Sequence, residues 1–475
     1  MEANPLVIGG RRVTTDAHVD VFAKANGELI GRACLAGPAE LEAAIAAAVK
    51  AAPAMAELAA CDRERSLQSI CTQLRTREDE FARLLCREVG KPIRDARGEV
   101  ARMIDTFHTA AGEAVRQEGA VLALDALPRG RGLTGFVRRF PVGACAFITP
   151  FNFPLNLAAH KIAPAIAAGC SFVLKPASLT PLTTLLLADV LAHAGLPQGA
   201  ISIVPAERAA ADVLVTDERL KLLSFTGSPS VGWDMKARAG KKKVVLELGG
   251  NAACIVEPDW DAADACARIV AGAFGNSGQS CIKTQRVLVH ESRYADLSAR
   301  LIAATQALQV GDPEDERTQV GPLITERDAM RLEAWIAAAV RGGARVLCGG
   351  QRRGPLLEPT LLENVQSCAE IRCEEAFGPV TVLEPYTHFE DALRSVNDSR
   401  YGLQAGLFTR DWVLVEQAFK TLEVGGVIVG DVPTFRVDHM PYGGVKDSGS
   451  GREGVRWAME DMTEPRLLVH RTPPC

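Results

Sequence analysis

Three consecutive segments of this chain repeat one pattern, a short apolar run followed by a helical period, and that alternation restricts the fold more than any other feature. Residues 144–148 lead into a helix over 155–168, residues 171–174 into one over 181–194, and residues 221–225 into one beginning near Ser228. Short apolar runs joined by helical crossovers belong in a largely parallel sheet covered by helices, which is the body of a dinucleotide-binding domain. A fourth run, 243–247, ends at Gly249-Gly250, where a domain boundary is expected, and the same style resumes from Ala252 to Gly430, with strands at 285–289, 380–384 and 426–429. Residues 39–116 read as packed helices, because even the alanine-rich stretch 41–55 keeps helical spacing. Residues 120–141, with Pro128, Gly130, Gly132 and Gly135 close together, have loop or hairpin character.

A chain of 475 residues with 53 Lys and Arg against 58 Asp and Glu has a formal net charge of −5, which supplies no field to gather nucleic acid or an anionic membrane. Its length suffices for two or three domains, each with a full core. Thirteen Cys, scattered from Cys34 to Cys475 without a CxxC pair, point to neither a disulfide framework nor a zinc site, and no metal is expected. The start Met1-Glu2-Ala3-Asn4-Pro5 lacks a basic segment followed by an apolar one, and the most apolar stretch, 142–174, is interrupted by Pro150, Asn152, Pro154, His160 and Lys161. The expected location is the cytoplasm.

Two stretches fit G-x-G-x-x-G, at Gly130, Gly132 and Gly135 and at Gly449, Gly451 and Gly454, but neither follows a buried strand and opens a helix, so both are read as loop glycines. A better phosphate site is Phe225-Thr226-Gly227-Ser228-Pro229-Ser230-Val231-Gly232, where a strand ends and Pro229 suits a first helical turn whose free N–H groups can face a pyrophosphate. The sharpest constellation combines Phe274-Gly275-Asn276-Ser277-Gly278-Gln279-Ser280-Cys281 with Leu246-Glu247-Leu248-Gly249-Gly250 and Thr149-Pro150-Phe151-Asn152-Phe153-Pro154. Singly, each has an ordinary structural explanation: a core cysteine, a solvated strand-end carboxylate, a turn-forming Asn.

Together they resemble the aldehyde dehydrogenase superfamily. The resemblance extends over nearly the whole chain, through Glu88-Val89-Gly90-Lys91-Pro92, the Asn152 segment, Lys175-Pro176-Ala177-Ser178, the Thr226 turn, Glu247-Leu248-Gly249-Gly250, the Cys281 segment, Glu374-Glu375-Ala376-Phe377-Gly378-Pro379 and Pro441-Tyr442-Gly443-Gly444-Val445-Lys446, all in the family's order and approximate spacing. It implies an α/β fold with a Rossmann-like NAD(P)-binding domain (1–119 and 140–250, with 431–463 returning to it), an α/β catalytic domain (251–430) and a small β oligomerisation element (120–139 and 464–475) that makes a homodimer or homotetramer.

The resemblance also assigns roles. Cys281 is the nucleophile, whose thiolate attacks the aldehyde carbon; the Asn152 amide and the Cys281 backbone N–H meet the resulting oxyanion; Glu247 activates the water that hydrolyses the thioester. CoA-acylating relatives generally lack this Glu, so hydrolysis to the free acid is expected over a CoA-dependent transfer. For NAD or NADP, the implied residues are Ile148, Thr149, Pro150, Lys175 and Ser178, the turn Thr226, Gly227, Ser228 and Gly232, and Leu248, Glu375 and Phe377. Strongly NAD-selective relatives often carry an acid at the position of Ser178, so the repulsion of a 2′-phosphate is absent here. Phe151 stands where relatives usually have Trp, an exchange of one large apolar ring for another.

By the same comparison His160 and Arg436 stand where relatives acting on neutral apolar aldehydes often place aromatic rings. An imidazole and a guanidinium in one pocket would favour a small anionic aldehyde, with the phosphonoacetaldehyde type favoured over lactaldehyde, succinate-semialdehyde and glyceraldehyde-3-phosphate. The alternative is that Arg436 pairs with Asp438 or Glu453. Phe153, Leu157, Ser280, Ile282 and Arg102 complete the expected substrate set, with His108 a weaker candidate at the tunnel mouth.

Overall fold

The computed structural model describes residues 2–471; residues 472–475 of the expected oligomerisation element, Cys475 among them, lie outside the described residues. An eight-stranded sheet has the order Gly449–Ser450, Lys243–Glu247, Leu222–Thr226, Cys145–Ile148, Phe172–Lys175, Ile201–Ile203, Leu6–Ile8, Arg11–Val13. Its five middle strands are parallel. Cys145–Ile148, Phe172–Lys175 and Leu222–Thr226 are buried along their whole length, as strands covered on both faces must be. From Cys145–Ile148 the chain steps to Phe172–Lys175 and Ile201–Ile203 on one side, then returns to lay Leu222–Thr226 and Lys243–Glu247 on the other. The order therefore reverses beside Cys145–Ile148, and a reversal of this kind opens a crevice at the carboxyl ends of the strands.

A seven-stranded sheet, Arg345–Cys348, Thr360–Glu363, Val380–Tyr386, Thr284–His290, Ala252–Val256, Gln404–Phe408, Gly426–Val429, is parallel except for Arg345–Cys348. Apart from the crossovers stands an antiparallel sheet of Ala120–Leu122, Leu133–Pro141 and Thr463–Arg471. Of the loop or hairpin expected at 120–141 the structure has the hairpin, Ala120–Leu122 paired antiparallel with the nine-residue strand Leu133–Pro141. Leu6–Ile8 and the edge strand Arg11–Val13 are further additions that such short runs do not announce. Gly449 also differs from the loop reading, since it pairs with Glu247 at the sheet edge, where an added Cβ would stand 2.2 Å from the Leu246 carbonyl oxygen.

Two buried carboxylates fix helices that border the crevice. Glu99 accepts hydrogen bonds from the N–H groups of Leu155 (2.9 Å) and Asn156 (3.1 Å) at the start of helix Asn156–Ala168, and Glu88 accepts from Leu182 (2.6 Å) and Thr183 (2.9 Å) at the start of Pro181–Ala192. Among the described residues no single helix is long and apolar enough to cross a membrane; one bent pair, Pro38–Glu57 with Ala60–Thr76, passes by length and composition, and its apolar face lies in the core.

Candidate active site

Cys281 ends a loop that the surrounding structure holds in a conformation few residues adopt. Asn276 (φ 51°) and Ser277 (φ 54°) are left-handed, a strain that persists only where neighbours over-determine it. Here they do. The Asn276 N–H donates to Asp95 at 2.9 Å, its amide to the carbonyls of Asn152 (3.3 Å) and Gln279 (3.1 Å), and Ser277 Oγ to the Gly321 carbonyl at 3.0 Å. Gly250 lies so near that a Cβ would be 2.2 Å from the Cys281 carbonyl oxygen, which is why the strand-end segment after Glu247 requires glycine there.

Asn152 is buried beside this loop and spends one amide hydrogen on the Gln279 carbonyl at 3.0 Å, leaving a second. Its backbone carbonyl accepts from Lys91 Nζ at 2.8 Å, and Lys91, itself fully buried, is paired with Glu99. Cys281 Sγ lies 3.0 Å from the Tyr442 hydroxyl, and burial pushes the thiol up to about 12 despite that hydrogen bond. Glu247, 3% exposed, has neither carboxylate oxygen hydrogen-bonded to a described residue; burial first, and Glu453 second, raise its carboxyl well above the usual range.

Glu453, an alternative partner expected for Arg436, belongs to a buried cluster that also holds Lys161. It accepts from Lys161 Nζ at 3.0 Å and from Arg436 Nη2 at 3.0 Å, and these cations outweigh its burial and hold its carboxyl at about 2. Lys161 also donates to Ser224 Oγ and Thr226 Oγ1, both at 2.8 Å. Two cations and one anion leave the cluster a net charge of 2 − 1 = +1; the cations favour ionisation of Glu247 against Glu453, and Arg436 favours that of Cys281.

The expected cofactor residues divide by position. Pro150, Thr226, Gly227, Ser228, Leu248, Glu375 and Phe377 line a cavity of about 180 Å³ with Asn152, Glu247 and Cys281, at the reversal point of the eight-stranded sheet. Glu375 accepts from the Gly250 N–H at 3.0 Å, and burial lifts its carboxyl to about 7. Phe377 (φ 51°) meets Phe151 edge to face at 5.7 Å. Ile148, Thr149 and Lys175 stand at the ends of the adjoining strands; Thr149 Oγ1 is buried without a partner among the described residues, and Lys175 Nζ reaches only the Pro176 carbonyl (3.1 Å), burial lowering it to about 8. Ser178 is exposed in the following turn. Gly232 departs from its expected place: it is buried one turn inside helix Pro229–Arg238, where a Cβ would meet Leu248 Cδ2 at 2.5 Å, so it permits helix-to-strand contact and does not line the turn.

A second cavity of about 460 Å³ runs from Arg94 and Arg102 to Cys281, walled by Asn152, Phe153, Leu157, Ser280, Ile282, Arg436 and Tyr442 among others. Asn152, Leu157 and Cys281 border both cavities. Arg436 both faces this cavity and pairs with Glu453, while its Nε is buried without a partner among the described residues. His160 does not face it. The ring is fully buried, Nε2 is 2.8 Å from Asp438 Oδ1, and burial lowers its pKa, so a neutral imidazole supports Asp438. Asp438 also accepts from Arg102 at 2.7 Å, and burial, which would raise it, loses to these two donors. His108 is exposed on helix Ile93–Ala114 and lies outside the cavity wall.

A model of the aldehyde dehydrogenase family matches residues 12–468. The chain belongs to that family. The dehydrogenase is 43% identical over 409 residues to the 3-sulfolactaldehyde dehydrogenase of Priestia aryabhattai, 86% of each chain being covered. Its fold superposes with a TM-score of 0.98 and 48% identity on aldehyde dehydrogenase 21 of Physcomitrella patens, solved in complex with the reaction product succinate, covering 99% and 98% of the two chains. The glyceraldehyde-3-phosphate dehydrogenase GapN of Methanocaldococcus jannaschii, solved with NADP, matches with a TM-score of 0.93 at 36% identity over 96% of this chain and 100% of that one.

The dehydrogenase is therefore an NAD(P)-dependent oxidoreductase, and its residues fit that cofactor: Thr149 Oγ1, without a partner among the described residues, and the Lys175 ammonium, which reaches the Pro176 carbonyl, stand at the strand ends where a dinucleotide is held. Sequence reasoning named Glu453 as an alternative partner of Arg436 but missed Lys161, Lys91, Glu99 and the Tyr442 hydroxyl. One signal was present, since Lys161 lies in a mostly apolar helix, and a lysine buried there requires an anion.

Proposed function

We propose that this dehydrogenase oxidises a small aldehyde bearing a single negative charge at its far end to the carboxylic acid, with Cys281 as nucleophile. The observation that carries the reading is Arg436, whose buried and unpartnered Nε borders a cavity ending on Cys281, with Arg102 and Arg94 farther out. Arg436 already shares its charge with Glu453, and Arg102 with Asp438. With Lys161 also on Glu453, the cluster behind the cavity keeps a net charge of +1, which suits a carboxylate or sulfonate and moves the reading away from a phosphonoacetaldehyde-type dianion. The relatives named for 3-sulfolactaldehyde and solved with succinate support the same class.

The Cys281 thiolate adds to the aldehyde carbon, and Asn152 Nδ2 with the Cys281 N–H, which makes no hydrogen bond among the described residues, receives the oxyanion. The bound nicotinamide supplies hydride acceptance. The thioester left on Cys281 is hydrolysed by water whose proton Glu247 accepts, so one aldehyde and one water yield acid without CoA. Lys175 and Glu375 hold the two riboses, and Ser178 leaves a 2′-phosphate unopposed. We further propose a homo-oligomer, because Thr463–Arg471 is an edge strand exposing Leu467 (53%), Leu468 (64%) and Val469 (47%).

The test is reduced-nicotinamide formation over succinate semialdehyde, sulfoacetaldehyde, 3-sulfolactaldehyde, phosphonoacetaldehyde and neutral aldehydes of equal length, with NAD and NADP and without CoA. The monoanions should be fastest, and Arg436→Met should slow them more than the neutral aldehydes, removing that preference. A preference for neutral aldehydes in the parent enzyme would refute the anion pocket, and a requirement for CoA would refute hydrolysis.

A further inference from the structure

We propose that Tyr442 is the positioning residue that stabilises the Cys281 thiolate, donating its hydroxyl to the sulfur, and that Arg436, held over the tyrosine ring by Glu453, strengthens that donation. The proposal rests on the reading of Cys281 as nucleophile. The Tyr442 hydroxyl is 3.0 Å from Cys281 Sγ and has no other partner among the described residues. With a thiol either atom can donate, but a thiolate can only accept, so ionisation fixes the phenol as donor to a charged sulfur, the stronger kind of hydrogen bond.

Behind the ring, Arg436 Cζ lies 3.7 Å from its centroid. A cation over the face draws electron density from the phenol and sharpens its O–H as a donor. This arrangement is built into the backbone: Tyr442 and Glu453 form an antiparallel bridge, Tyr442 N to Glu453 O at 2.9 Å and Glu453 N to Tyr442 O at 2.6 Å. The bridge ties the carboxylate that grips Arg436 to the residue Arg436 covers, so ring, guanidinium and carboxylate form one stack.

The other groups facing the sulfur act against ionisation. Burial is the largest influence and raises the thiol; Glu375 and Glu247 push in the same direction; only Tyr442 and Arg436 oppose them. Tyr442 is itself held well above the usual phenol range, chiefly by burial, so it stays protonated and able to donate wherever the enzyme works. A phenylalanine would fill the same space and supply no donor.

The test is alkylation of Cys281 by iodoacetamide in the intact chain, without substrate or cofactor, as a function of pH and with the modified residue located by peptide mass mapping. Tyr442→Phe should move the rising limb of the rate to higher pH by about one unit or more, a roughly tenfold loss at pH 8, with an unchanged circular dichroism spectrum. Arg436→Met should move the limb in the same direction. Superimposable profiles for Tyr442→Phe and the parent would overturn the proposal while leaving Cys281 as nucleophile. Turnover surviving in Cys281→Ala would instead overturn the nucleophile reading and this proposal with it.

Discussion

Replacing Glu453 with glutamine tests whether the cluster beneath the site is held by charge. Glu453 is 2% exposed, with Lys161 Nζ and Arg436 Nη2 each 3.0 Å away. At that separation each attraction is worth about 5 kcal/mol at an effective dielectric of about 20. Desolvation offsets most of it, but the offset is lost when only the anion is removed and two cations stay buried together. Breaking such a pair costs about 3–5 kcal/mol, and the glutamine carbonyl still accepts one hydrogen bond, so about 3 kcal/mol is expected for Glu453→Gln. Urea unfolding followed by tryptophan fluorescence measures it. Lys161→Met in the Glu453→Gln background removes the excess cation and should restore part of the loss, a coupling of about 1 kcal/mol or more. Because Glu453 also helps raise the Glu247 carboxyl, Glu453→Gln should lower that pKa, and the limb on which thioester hydrolysis rises with pH should move to lower pH. A Glu453→Gln enzyme within about 1 kcal/mol of the parent, with no recovery in the double variant, would refute the charged-cluster account.

Three further outcomes are expected. Asn152→Ala should lower kcat by about 10²–10³ with little change in cofactor affinity, read by steady-state kinetics and fluorescence titration. Glu375 is lifted to about 7 by burial, so its carboxylate prevails only above that pH; cofactor affinity should fall as pH drops from about 8 to about 6, and Glu375→Gln should flatten the dependence. His160→Ala removes a donor from buried Asp438 and should cost about 1–3 kcal/mol of stability, with the preference among aldehydes intact; a changed preference would return His160 to the pocket wall.

The sequence by itself determined the parallel α/β architecture, because apolar runs alternating with helical periods have few ways to be buried, and its resemblance to the aldehyde dehydrogenases singled out Cys281, Glu247 and Asn152, which line one cavity. The strand Lys243–Glu247 has the bounds its pattern suggests. Other decisions belonged to the tertiary structure. Whether Arg436 faced a cavity or an acid depended on how its loop packs, and the answer is both: Glu453 holds one nitrogen and the cavity has the buried Nε. His160 is conspicuous in sequence, but the rotation of its helix aims it at Asp438, 278 residues away, and no local pattern encodes that direction. The left-handed Asn276 and Ser277 and the stack of Arg436 on Tyr442 exist only because distant segments close on them, so their strain, charge and hydrogen bonding are properties of packing and not of composition.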